Sequence, residues 1–156
     1  SASGTAADRP PIRADFGCLP FHNGCADVVI FDPPHASHGG AGGQLQQQYT
    51  TNQDKSNSIV NTWPYALPEV YRILADAGIA LVKIADQVHA MAFRWQMAEL
   101  IVAAPDYGLT PCDCIVKVRK APMFGGHITG AKGRYHVPKR HCYWIVLRKG
   151  NRRCYP

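Results

Sequence analysis

The sequence has no Asp or Glu after Asp113, no CxxC pair and no internal repeat. No apolar run reaches the ~18 residues that a membrane-spanning helix needs, and the first residues lack the charged-then-apolar pattern of a secretory leader. The six cysteines (Cys18, Cys25, Cys112, Cys114, Cys142 and Cys154) are few for 156 residues. They predict mostly free thiols in a reducing compartment, which places the protein in the cytoplasm and argues against a disulfide scaffold. Charged residues are only 18% and hydrophobic ones 46%, a globular rather than a disordered composition. The length suits one domain with a core and is too short for two.

The missing acids divide the chain electrically. Residues 1–116 carry six basic and eleven acidic side chains, a net of −5, and residues 117–156 carry eleven basic ones and no acid, a net of +11. A basic stretch of this kind predicts a polyanionic partner, although a solvated basic face explains the charge as well. Charge alone says nothing about which bases are read.

Along the chain, residues 1–11 and 151–156 read as flexible tails around one domain at 12–150. Ile12–Phe16 is expected to form a short strand. The run from Asp27 to Asp32, β-branched and closed by Pro33-Pro34, predicts a buried parallel strand. Residues 36–57, rich in Gly, Gln, Asn, Ser and Thr, read as a mobile lid loop. Tyr65, Leu67, Val70, Tyr71 and Leu74 follow helical spacing, with Gly78 expected to stop the helix before a second buried strand at Ile79–Ile84. Asp86 is expected to cap a helix that runs through Ala104. Cys114–Val118 and Cys142–Arg148 predict an antiparallel hairpin joined by a basic excursion at 120–141. The expected fold class is therefore α/β, an open and mostly parallel Rossmann-like sheet that ends in an antiparallel β-hairpin. Ligands of such sheets sit outside the carboxyl ends of the strands, where Asp32, Lys83 and Asp86 fall.

Asp32-Pro33-Pro34-His35 is the most informative segment. Taken alone it describes a proline turn with a surface carboxylate. In its place after a buried strand, the chain from about Ile12 to Lys149 resembles the class I S-adenosylmethionine-dependent methyltransferases that modify exocyclic amino groups of nucleic-acid bases. Their signature is Asp/Asn/Ser-Pro-Pro-aromatic. Ile12–Phe21 resembles the family's third-strand segment and Val70–Leu74 with Gly78–Lys83 its following helix and fifth strand. Tyr107-Gly108-Leu109 leads toward the sixth strand and His141–Lys149 resembles the seventh. Phe124, Gly125 and His127 add a likeness to small phage and bacterial DNA-methylase-like proteins.

The resemblance implies methyl transfer from S-adenosylmethionine to a base amino group, adenine N6 favoured over other amines and DNA over RNA. An amine conjugated to a ring is a poor nucleophile; Asp32 and the Pro33 carbonyl would accept its two N–H bonds and localise its lone pair. Pro34 would stiffen the turn and His35 would stack on an extrahelical base, in place of the family's usual Tyr, Phe or Trp. Asp15, Phe16, Leu19, Phe21 and Asp32 would meet the cofactor. Lys83 would contact a phosphate or simply snorkel. Lys132, Arg134, Lys139 and Arg140, with Tyr135 and His136 among them, would contact nucleic acid.

The family's glycine-rich cofactor turn has no counterpart here, so the first βα units are incomplete. A further segment or a second chain is expected to complete the cofactor site, or activity has been lost and a silent nucleic-acid-binding module is left. A zinc protein is the remaining reading, with His35, His38, Cys112, Cys114, His127, His136 and His141 as ligands in no established spacing.

Overall fold

The β-branched run Val28-Val29-Ile30 lies in strand β1 (Ala26–Phe31) of a computed structural model that describes residues 12, 14–33, 62–89, 92–118, 120 and 141–150. Helix α1 (Thr62–Ile73) buries Trp63, Ala66, Leu67, Val70 and Ile73 along one side and leaves Tyr65 and Tyr71 exposed. It passes directly into β2 (Leu74–Ile84). The last turn of α1 is closed from outside, because the Gly24 amide donates to the Arg72 carbonyl at 2.9 Å. Gly78 therefore does not stop the helix. It is buried within β2, where a Cβ would stand 2.8 Å from the Ala75 carbonyl oxygen, so the position admits only hydrogen.

After β2 the chain makes a small antiparallel hairpin, β3 (Gln87–His89) with β4 (Ala92–Arg94), and only then helix α2 (Gln96–Ala103). A 3₁₀ turn (Ala104–Tyr107) follows, ended by Gly108 at φ +74°, and leads into β5 (Leu109–Val118); β6 (His141–Lys149) returns. The expected helix from Asp86 is thus shorter and starts later.

The main sheet has the order β1-β2-β6-β5. β1 and β2 are parallel, whereas β6 is antiparallel to both β2 and β5. The sheet is mixed, which corrects the mostly parallel expectation. The reason is that the returning strand of the hairpin takes the place beside β2: Cys142, Ile145 and Leu147 are fully buried, while β5 is exposed from Asp113 to Val118 and suits the margin.

Both helices contribute to one core. Trp63, Leu67 and Val70 of α1 and Leu100 of α2 meet Val82, Ile145 and Leu147 of the sheet, with Val29 and Phe31 packed alongside. The opposite face carries Val28, Ile30, Ile79 and Ile115 exposed; Ile30 is 66% accessible. Ile30, Leu81, Ile115 and Trp144 line an open apolar groove of about 270 Å³ there. β1 is consequently half-buried on one face and exposed on the other, not the buried strand that its sequence predicts. The described residues of Ile12–Phe16 form no strand either; Asp15 makes only an isolated bridge to Cys18. Asp15 Oδ1 accepts the Gly17 amide at 2.9 Å and the Asp15 carbonyl accepts the Cys18 amide at 3.0 Å, a local turn that competes with extended pairing. Cys18, Cys25, Cys114 and Cys142 are free thiols, and Cys112 is disulfide-bonded.

Candidate functional site at the carboxyl end of the sheet

The parallel register pairs Phe31 with Val82, and one step further Asp32 stands beside Lys83. The Lys83 Nζ donates to both carboxylate oxygens, at 2.7 Å to Oδ1 and 2.6 Å to Oδ2. The Asp32 side chain is 46% accessible and that of Lys83 only 14%, so the acid faces solvent and the cation is tucked behind it. Lys83 is in turn paired with Trp144 across the antiparallel β2–β6 register, and its Nζ lies 5.5 Å from the indole centroid. Three adjacent strands thus line up a carboxylate, an ammonium and an aromatic ring. Pro33 follows Asp32 and is half-buried.

The Asp15 turn is brought to the same strand end by its neighbour. The Phe16 ring packs 5.7 Å from that of Phe31 and 5.4 Å, edge to face, from that of Tyr65. The Tyr65 hydroxyl donates to Asp15 Oδ2 at 3.5 Å, and the Tyr65 ring fills the space where a Gly17 side chain would be. Asp15 and Phe16 both remain exposed.

Leu19 and Phe21 are fixed through their main chain to α1. Glu69 Oε1 accepts the Leu19 amide at 2.6 Å. Arg72 donates to the Leu19 and Phe21 carbonyls and to the Asn23 side chain, and it forks onto Glu69 at 2.6 and 2.8 Å. The Arg72 guanidinium, helped by the Leu19 amide, holds the Glu69 carboxyl at about 2, against a desolvation that pushes the other way. This hub went unread in the sequence, although Glu69 and Arg72 at i, i+3 on a helix carried the signal.

Asp86 lies behind the sheet end, buried, and accepts the Met97 amide. Burial pushes the Tyr143 phenol up and the negative charge of Asp86 adds to it, while the Tyr143 hydroxyl pairs with His141 Nε2 at 2.9 Å.

Pro34, His35, Lys132, Arg134, Lys139 and Arg140 lie outside the described residues, as do the lid at 36–57 and nearly all of the basic excursion. Among the described residues no three His, Cys, Asp or Glu side chains gather as a metal site, and no helix is long and apolar enough to cross a membrane.

No protein-family model matches the chain, and no curated protein matches its sequence. Solved structures do. Three crystal structures of a "Putative DNA Modification Methylase" from Thermus thermophilus are similar: a selenomethionine derivative (TM-score 0.54, 14% identity), a complex with S-adenosyl-L-methionine (0.55, 15%) and a third structure of the same protein (0.53, 15%). Each alignment covers 88% of this chain and 50–51% of the other. The chain spans about half the length of the structures it matches, and what it shares with that half is the fold.

Proposed function

We propose that this chain carries the amine-binding part of an S-adenosylmethionine-dependent methyltransferase that acts on an exocyclic amino group of a nucleic-acid base, with adenine N6 in DNA the favoured target. The observation that supports it most is the half-exposed carboxylate of Asp32, followed by Pro33 at the carboxyl end of β1. It stands on a fold shared with the "Putative DNA Modification Methylase" complexed with S-adenosyl-L-methionine.

In this reading Asp32 and the Pro33 carbonyl each accept one N–H of the target amine. That draws its lone pair out of the ring system and fixes its direction. S-adenosylmethionine, when bound, supplies a methyl group on a sulfonium. The residues at the Asp15 turn fit its adenosine end: an exposed carboxylate suited to an amino group beside a partly exposed Phe16 ring suited to a purine face. The acid-free segment after Asp113, with Lys132, Arg134, Lys139 and Arg140, supports a nucleic-acid partner through phosphate contacts. His35 and Pro34 keep their proposed parts in the base pocket.

The test is calorimetry of the intact protein with S-adenosylmethionine, followed by mass spectrometry of DNA and RNA after incubation. Cofactor binding and N6-methyladenine in DNA are expected. Nucleic-acid binding with no cofactor binding would establish the silent module instead.

A further inference from the structure

Lys83 makes the contact that the proposed function asks of a substrate. A nitrogen donor sits at 2.6–2.7 Å from both oxygens of the one carboxylate that should receive a base amine. An ammonium is a stronger donor than a neutral amino group, and its charge cancels the negative potential that would stabilise positive charge growing on a methylated nitrogen. The same cation already lies over the Trp144 ring, on the neighbouring strand at 5.5 Å from its centroid, so a partial seat away from the carboxylate is in place.

We infer that Lys83 is an internal competitor for the target amine: its ammonium holds both acceptor oxygens of Asp32 and yields them to a base amino group by settling closer onto the face of Trp144, which it already overlies. The inference rests on the reading that Asp32 accepts that amine. Lys83 is then a positioning residue, which sets how strongly the site discriminates a base with an amino group from one without. Removing the ammonium sharpens that discrimination, whereas removing Trp144 blunts it by leaving the cation nowhere else to go. A lysine that merely braced Asp32 would do the reverse, since its loss would leave the carboxylate less well placed.

The experiment compares two short single-stranded oligodeoxynucleotides, one with adenine and one with purine, which lacks the amino group, at the same position. The ratio of their affinities is measured for the intact protein and for Lys83→Met, Lys83→Arg and Trp144→Leu. Comparing a ratio within each protein cancels any loss of general phosphate attraction. The adenine-to-purine preference is expected to rise about two- to five-fold in Lys83→Met, the size of an exposed ion pair. It should stay near the parent value in Lys83→Arg and fall in Trp144→Leu. An unchanged or lower preference in Lys83→Met, where the parent protein does prefer adenine, overturns the competitor role and leaves the amine reading of Asp32 standing. Equal binding of both oligonucleotides by all four proteins overturns the amine reading, and the role of Lys83 with it. Should Lys83→Met fail to fold, the Trp144→Leu arm decides alone: a preference that does not fall overturns the inference.

Discussion

Oδ1 of Asp86 accepts the main-chain N–H of Met97 at 3.1 Å, eleven residues further on, and so caps a helix that it does not begin. α2 starts at Gln96, and Trp95 at its N-cap offers no side-chain bond, so Asp86 serves from the end of β2. We expect Asp86→Ala to destabilise the protein by about 1 kcal/mol, the usual worth of an N-cap. Asp86→Asn, which keeps an acceptor oxygen, should cost less. Urea unfolding of the two variants checks the order.

Asp32 is half-exposed at a strand end and outside the core, so Asp32→Ala should leave the thermal midpoint nearly unchanged, an exposed ion pair being worth roughly 0.2–1 kcal/mol. Methyl transfer by the intact protein should disappear. A variant that folds and retains near-parent activity would remove Asp32 from the chemistry.

The Glu69 carboxyl titrates at about 2 in the folded chain against an ordinary value of 4.5. A depressed carboxyl stabilises the fold above its unfolded value and loses that contribution as pH falls toward its folded one. Acidification from about 4.5 to 2 should therefore lower the unfolding midpoint of the parent protein more steeply than that of Glu69→Gln. Circular dichroism melts across that pH range measure the difference in slope.

Two glycines separate backbone strain from crowding. Gly150 has φ +90° with nothing within 4 Å of a Cβ, whereas at Gly108, φ +74°, a Cβ would lie 2.7 Å from Tyr71 Cε2. Gly150→Ala should cost about 1–2 kcal/mol from the left-handed conformation alone. Gly108→Ala should cost more, because the Tyr71 ring that shelters the Lys149 ammonium at 4.5 Å must also shift. Parallel melts of the two variants test the ranking.

Neutralising Lys132, Arg134, Lys139 and Arg140 together should weaken nucleic-acid binding and flatten its salt dependence, by about 0.9 in logarithmic slope for each duplex phosphate that the variant no longer neutralises. A slope that does not move would place the nucleic-acid surface elsewhere.

Local signals carried most of the elements. The run Val28-Val29-Ile30, the helical spacing from Tyr65 to Val70 and the late hairpin were all readable because periodicity and β-branching act within a few residues. What escaped was set between segments. The order of β5 and β6 beside β2 depends on which strand is apolar on both faces, and the exposure of Ile30 depends on what lies over it. The candidate site divides in the same way. Asp32 and Lys83 could each be placed at a strand's carboxyl end, but their pairing required knowing that β1 and β2 are neighbours in that register, and Trp144 entered only through the antiparallel return of β6. At Asp15, a side chain that bonds its own backbone defeated the extended reading.

The uncovered side of the sheet governs how this polypeptide behaves in the tube. Val28 and Ile30 on β1 and Ile115 on β5, each more than half accessible, stand on the two marginal strands of the sheet, on its open face. Among the described residues nothing pairs with the outer edge of β1, and apolar rows beside such an edge attract their own kind, so the polypeptide by itself will scatter light increasingly with concentration, and a detergent below its micelle threshold or a solubilising fusion will keep it dispersed.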